Sequence, residues 1–516
     1  MSTSLFDQLS DELILEVAKQ IERRYGNTSL APLALCSRRL NNVVGPLLYR
    51  TFTQCLDKPA ALPKMLRTVM QKPLLGAEIE TISLTDTDYE WLDMSSFLSS
   101  FPSRKLQTVM RSLEVSIVKS KWRTDVEQGV WDAAASLLLF FLPSLAEIEF
   151  RCHEQDRFPY LDQIARHIAC NQRIETPIGH FLSLDKLRKV SFARRSDNNY
   201  GFMDIGVILP WCDIPSVHTI RAFRLEGMER IGPTPEAWVS SALSKKYHVQ
   251  SLRLDGSCVY SAALRTFLPS FSSLKQFYYH YGGADAMPAD FLPQRIGEGL
   301  AQLHSSLEEL VLLGTECGED GEEARGPLDS LAEFTKLRCI GTEADVLFGP
   351  DLDTERQQLP NILPASLEIL VIRRCEDDIY HDLRDLLSHR KDKFKVLKTV
   401  AIDIPRARAG GLNHFDPDEL HQMEEEVRKR LARLTTDPHA AEDDGLLEGL
   451  IRELESLQSN QPTEEGWQEW RTRHSIEQKL IADYKKSGIE LRFNLYSAGI
   501  GTRAGTWNFL PPFMVY

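Results

Sequence analysis

Ser306-Leu307-Glu308-Glu309-Leu310-Val311-Leu312 and Ser366-Leu367-Glu368-Ile369-Leu370-Val371-Ile372 are one phrase written twice. An apolar residue is followed three positions on by a second, and two positions after that by a third. The last two are two apart, so they face the same side of a strand, and the first belongs to the turn leading in. Working outward, the phrase recurs at Ile79-Ile82-Leu84, Leu145-Ile148-Phe150, Leu187-Val190-Phe192, Val217-Ile220, Val249-Leu252-Leu254, Leu274-Phe277-Tyr279, Leu337-Ile340 and Leu397-Val400-Ile402. A weaker copy lies near Leu113 to Ile117. The later copies start about 30 residues apart, a period characteristic of repeat arrays.

Helix-like segments separate the copies, over residues 133–141, 160–169, 235–244, 261–268, 293–304 and 378–388. Strand and helix alternating at a fixed period stack into a solenoid, because a single turn cannot bury its own apolar face and a neighbouring turn can. The phrase resembles a leucine-rich repeat of the longer, irregular sort, and Cys375 falls where that family places Asn or Cys. The resemblance implies an α/β repeat solenoid with parallel strands on its concave face. An ordinary α/β domain with evenly recurring strands is the alternative, but a doubly wound sheet does not require the same phrase each time.

Ahead of the repeats, Leu13, Ile14, Val17, Ala18 and Ile21 recur at three- and four-residue steps, the spacing of one helix face. Ser10 is the expected N-cap, with Asp11 and Glu12 at the positive end. Tyr25-Gly26-Asn27 reads as a break. A second helix is expected from about Ser29, with Pro32 near its start, and a third over residues 37–44, stopping at Gly45-Pro46. Three short helices make a core too small to stand without another surface. The run Leu9-Ser10-Asp11-Glu12-Leu13-Ile14-Leu15-Glu16-Val17, then Ala34-Leu35-Cys36-Ser37-Arg38-Arg39-Leu40 and Pro46-Leu47-Leu48-Tyr49-Arg50, resembles an F-box. Members of that family carry Leu-Pro where this chain has Leu9-Ser10, and dock on the Skp adaptor of a cullin-RING (SCF-type) ubiquitin ligase. The resemblance assigns Leu9, Ser10, Leu13, Ile14, Val17, Leu30, Leu33, Leu35 and Leu40 to the adaptor surface or the core beneath it, without separating the two. The bland reading is a helical cap on the array.

Several segments interrupt the repeats. The loop 194–201 carries Arg194 and Arg195 beside Tyr200, residues suited to an acidic or phosphorylated partner as well as to a solvated turn. Segment 316–325 crowds five acids around two glycines and reads as a solvated loop. In Phe277-Tyr278-Tyr279-His280-Tyr281, alternation separates Tyr278 and His280 from the other three. One set is core and the other lies on the concave face, so Tyr278 and His280 are the candidate substrate contacts. Past residue 405, charged helices are expected at 416–434, 446–457 and 467–484, before a strand-like Ile489-Glu490-Leu491-Arg492-Phe493. The expected organisation is a helical domain over 1–54, a solenoid over 55–405, a charged helical insertion over 406–486 and a closing repeat with an apolar cap over 487–516.

Composition narrows the function. A formal net charge of −14 argues against a surface built for phosphate backbones, so nucleic acid is not an expected partner. No leader pattern and no run of about 18 apolar residues occurs, which predicts a soluble chain of cytoplasm or nucleus with no membrane partner. The nine cysteines are scattered singly without zinc spacing. Cys152, Cys258, Cys317, Cys339 and Cys375 read as small buried hydrophobes, and Cys36 as part of an apolar helix pattern. Gly499 to Gly505 lacks the Walker lysine, His381 and His389 lack the metal-binding step, and Gly-x-Ser-x-Gly is absent. No metal, cofactor or catalytic residue is expected. The F-box resemblance implies a substrate receptor: helices on a Skp-type adaptor and through it cullin, solenoid on a protein substrate. A repeat scaffold without a ligase role is the alternative, and an enzyme with a site in the groove a weaker third.

Overall fold

The computed structural model describes residues 9–54, 58, 60–86, 92–94, 121–152, 158–170, 174–175, 181–182, 184–194, 202–227, 246–282, 291–314, 327–349, 357–376, 378–404, 425–429, 432 and 464–494. The chain divides into two units, one of residues 1–338 with 346–352 and one of 339–345 with 353–516. Each is an α/β repeat solenoid in which the apolar phrase forms a parallel strand. The weak copy near Leu113, the helix expected at 235–244, the loops 195–201 and 316–325, the helix expected at 446–457, and segments 499–505 and 509–516 lie outside the described residues.

In the first unit the strands are β1 (Thr51–Thr53), β2 (Thr81–Thr85), β3 (Glu147–Cys152), β4 (Lys189–Arg194), β5 (Thr219–Phe223), β6 (Ser251–Ser257), β7 (Gln276–Tyr281) and β8 (Glu309–Leu313). They pair in parallel in sequence order. The register is kept from copy to copy: Ile82, Ile148, Val190, Ile220, Leu252, Phe277 and Leu310 stand side by side. All seven are buried, as are the lead-in residues Ile79, Leu145, Leu187, Val217, Val249, Leu274 and Leu307. Burying one such side chain contributes about 2 kcal/mol, which is why every turn repeats the phrase. The ladder also reaches into the turns: His218 N–H donates to Arg188 O at 2.9 Å, Gln250 to His218 at 2.8 Å, Lys275 to Gln250 at 2.8 Å and Glu308 to Lys275 at 2.7 Å.

Helices pack on the apolar side of this sheet. Trp131–Leu139 is buried along its whole length, and Pro159–Ala169, Ser261–Phe267 and Pro293–Leu300 follow. Phe150 is the hub of an aromatic cluster, with ring centroids 5.9 Å from Phe158, 5.3 Å from Phe192 and 5.2 Å from Trp211. The first turn of Pro159–Ala169 is capped from a neighbouring helix: Asp132 accepts from the N–H of Tyr160 at 2.8 Å and of Leu161 at 3.2 Å. Asp132 is buried, and burial pushes its carboxyl up to about 7 against the pull of those two N–H groups, with Asp162 and Asp86 adding to the rise. At the end of β6 a bulge shifts the register between Leu254 and Ser257, where Gly256 takes a φ of +51° that a side chain would strain.

The N-terminal helices are α1 (Asp11–Tyr25), α2 (Ala31–Cys36) and α3 (Arg38–Arg50), with a 3₁₀ turn at Asn27–Leu30. Ser10 caps α1, its hydroxyl accepting from Leu13 N–H at 3.4 Å, and Ser37 caps α3 through Leu40 N–H at 3.1 Å. Contrary to the expected stop at Gly45-Pro46, α3 runs through both residues to Arg50. Proline there forfeits one backbone bond, but Val44 and Leu47 on either side are buried in the helical core, and that packing holds the helix together. Strand β1, which the apolar phrase does not include, then begins at the very next residue.

In the second unit β9 (Cys339–Glu343), β10 (Ile369–Arg373), β11 (Thr399–Asp403) and β12 (Glu490–Asn494) pair in parallel in that order. The chain thus returns to the same sheet after residues 404–489. Of the helix expected at 416–434, residues 425–429 and 432 are described, and they are helical. Helix Glu464–Lys486 packs on Ile379–Ser388: the Tyr484 hydroxyl donates to Leu383 O at 2.7 Å and the Tyr380 hydroxyl to Glu477 Oε1 at 2.9 Å. No helix of the described residues is long and apolar enough to cross a membrane. Cys258, Cys339 and Cys375 are buried, whereas Cys36 is exposed, its thiol 3.2 Å from Pro32 O. Periodicity misplaced it because α2 turns that flank toward solvent.

Candidate functional site

Two surfaces of the first unit carry side chains that its own packing does not use. On the N-terminal helices, the core consists of Ile14, Ala18, Leu30, Leu40, Val44 and Leu47, with Leu9, Leu15, Ile21, Leu33, Val43 and Leu48 packed partly against it. The residues assigned above to an adaptor surface therefore divide. Ile14, Leu30 and Leu40 are core, Leu9 and Leu33 are half-buried, and Ser10 is exposed as a cap. Leu13, Val17 and Leu35 are exposed by 55%, 42% and 86%. Leu13 and Val17 are one helical turn apart and so lie on one flank of α1. An apolar face wider than the core beneath it leaves such a flank uncovered. Asp11 holds Arg39 Nε at 2.8 Å, which ties the start of α1 to the start of α3.

The second surface is the face of the sheet opposite the helices. Alternation sends the residues between the apolar positions there, and the register aligns them in rows. One row runs Ser83, Glu149, Ser191, Arg221, Arg253, Tyr278 and Val311 across β2 to β8. Tyr278 and His280 are on this face, half-buried, while Phe277, Tyr279 and Tyr281 are in the core. Most charges in the neighbouring strands are matched. Lys189 Nζ pairs with Glu147 at 3.1 Å, Arg151 Nε with Glu149 at 3.1 Å, and Gln276 Nε2 donates to Glu309 at 2.9 Å. Burial raises the Glu309 carboxyl above its ordinary range.

Arg221 and Arg253 stand directly opposite one another on β5 and β6. Arg253 Nε donates to Asp255 at 2.6 Å, and its guanidinium carbon lies 4.2 Å from the centroid of the Tyr278 ring. Burial and the Arg253 charge both lower the Arg221 guanidinium from its ordinary value. Sequence reasoning missed both arginines. The signal was present, since each sits between the two strand apolar residues of its copy, in Ile220-Arg221-Ala222 and Leu252-Arg253-Leu254. Aligning the copies would have set the two side by side.

The profile of the leucine-rich repeat domain family matches residues 57–392, well over half of the chain. The chain belongs to the leucine-rich repeat family. No curated protein matches it. Leucine-rich repeats are protein-interaction modules, and most side chains of the strand face described here, Ser83 and Val311 apart, lie outside the core. The match begins after α1 to α3, which stand ahead of it.

Proposed function

We propose that the protein is the substrate-recognition subunit of a cullin-RING (SCF-type) ubiquitin ligase, its N-terminal helices holding a Skp-type adaptor and its repeats holding a protein substrate. The observation that carries this reading is the exposure of Leu13, Val17 and Leu35 on a helical unit whose own core is complete without them. A contiguous apolar patch left in water marks a surface that a partner covers, and Leu13 and Val17, one helical turn apart, make such a pair on α1. In this reading Leu13, Val17 and Leu35 contact the adaptor, Leu9, Ser10 and Leu33 border the contact, and Ile14, Leu30 and Leu40 support it from below. The receptor does no chemistry. It raises the effective concentration of a substrate lysine near a ubiquitin-loaded conjugating enzyme. Tyr278 and His280 belong to the substrate face.

The rigid junction supports the same reading. Helix α3 passes into β1 without a linker, Glu80 N–H donates to Arg50 O at 2.9 Å, and Asn27 Nδ2 donates to Thr51 O at 2.9 Å. A partner on the helices is therefore held in fixed geometry to the first strands. The test is binding of purified Skp adaptor to the full chain and to Leu13→Glu and Leu35→Glu. Because both positions are exposed, the variants should melt with the wild type while losing at least tenfold in adaptor affinity. If the wild type does not bind the adaptor, the protein is a repeat scaffold whose helices are a cap.

A further inference from the structure

We infer that Arg221 and Arg253, with Ser191, Thr219, Ser251 and Tyr278 around them, form a receptor for a phosphate monoester carried on a side chain of a protein partner. The inference rests on the repeats being the partner-binding part of the molecule, and it names the chemistry they read.

Direct cross-strand neighbours of like charge are destabilising, and these two are half-buried. Among the described residues, Asp255 is the acid paired with Arg253, and it engages only Nε. The Arg221 side chain makes neither an ion pair nor a hydrogen bond among them, its backbone being held in the ladder. The other acids nearby are held elsewhere, Glu147 by Lys189 and Glu149 by Arg151. Asp255 and Glu147 favour the Arg221 charge without making an ion pair to it, and in a chain with 74 acidic and 60 basic residues leaving this cation without a contact partner is not a demand of the fold. A half-buried charge without a contact partner costs stability, and a bound anion offsets that cost.

The donors around the pair define the anion. Ser191 is the strand neighbour of Arg221 on the side away from Arg253. Thr219 and Ser251 lie two residues before the arginines and so share their face, and they are strand neighbours of each other. None of the three hydroxyls is hydrogen-bonded among the described residues. Tyr278, the neighbour of Arg253 on β7, carries that guanidinium over its ring as a cation–π contact. Ser191, Arg221, Arg253 and Tyr278 thus span about 14 Å across four strands. Two guanidinium groups and three hydroxyls offer more donors than a carboxylate can accept. A phosphate monoester presents three terminal oxygens and a charge of about −2. Glu147, Glu149 and Asp255 ring the site, so it suits one phosphate and repels a continuous phosphate backbone.

The test uses the full chain and three fluorescent peptide libraries, degenerate except for a central phosphoserine, glutamate or serine, read by anisotropy. The phosphoserine library should bind at least tenfold more tightly than the other two. Arg221→Gln and Arg253→Gln should each lose about tenfold, as expected for one charge-assisted pair. Arg123→Gln, which breaks an exposed helical ion pair with Glu127, should bind as the wild type does. Without ligand, Arg221→Gln should melt no lower than the wild type, because it removes the repulsion, so its lost binding is not lost folding. Equal binding of the glutamate library, no binding of the phosphoserine library, or binding unmoved by Arg221→Gln overturns the proposal. Adaptor binding on the same preparation depends on residues 9–50, so its failure is read separately from failure here.

Discussion

Substituting Asp132 by Asn should change how the stability of the first unit depends on pH. In the folded chain the Asp132 carboxyl is pushed up to about 7, chiefly by burial, from an ordinary 3.8. A folded pKa above the unfolded one means that the folded state holds the proton longer. Stability is therefore fully present below about pH 4 and is lost as pH rises toward 7. Between about pH 5 and pH 8 the loss amounts to roughly 2–3 kcal/mol. Asparagine does not ionise, so the variant should lack this slope. It keeps an acceptor for Tyr160 N–H but turns an amide N–H₂ toward Leu161 N–H, sacrificing that 3.2 Å bond at a cost of about 1–2 kcal/mol. The curves should converge or cross: the variant is weaker near pH 5 and equal or stronger near pH 8. Urea unfolding followed by tryptophan fluorescence is a suitable assay, since Trp122 and Trp131 are buried beside the site. Asp403, raised to about 6 in the second unit, slopes the same way and is common to both proteins, so it cancels in the difference. Parallel pH curves would refute the reasoning. They would mean that the two backbone donors and the helix N-terminus carry the carboxylate without penalty.

Phe150→Ala removes the hub ring that touches Phe158, Phe192 and Trp211, and should cost about 3–5 kcal/mol in urea unfolding. Gly76→Ala would place a Cβ 2.1 Å from the backbone oxygen of Phe141. The gain of about 1 kcal/mol in helix propensity is outweighed by overpacking, and a net loss of roughly 1–3 kcal/mol is expected by the same measurement. Tyr484→Phe should cost about 1 kcal/mol by deleting the buried bond to Leu383 O, and amide exchange should quicken in Glu464–Lys486 and Ile379–Ser388 while the first unit is unmoved.

The strands were legible because the phrase encodes both burial and register, and every copy quoted among the described residues forms a strand at its apolar pair. Strand β1 was not, since Thr51-Phe52-Thr53 lacks the phrase and owes its conformation to parallel pairing with Thr81 to Ser83. At the end of α3, Gly45-Pro46 is a local stop signal that the core entered by Val44 and Leu47 overrides. On α1, periodicity grouped Leu13 with Ile14. Only the position of α3 decides which of the two faces inward, and that is tertiary information. Arg221 and Arg253 were hidden for another reason. Each is an unremarked polar residue in its own strand, and becomes a charged pair only through the register between strands.

The two surfaces follow from one constraint. A repeat fixes its apolar positions to make each turn stack on the last, and this leaves the intervening positions free of any folding demand. A free position exposed to water drifts toward matched or neutral residues, as Lys189 with Glu147 and Arg151 with Glu149 illustrate. Arg221 beside Arg253 runs against that drift, and Leu13 with Val17 leaves an apolar flank of α1 in water. In the two readings proposed above, each departure costs the free protein stability and would be offset by a partner of opposite character, anionic at one and apolar at the other. Because α3 enters β1 with no intervening residue, the helices are joined to the sheet without a hinge. A linker would leave two bound partners independent, whereas this junction would hold them at a set separation, as the proposed receptor role requires.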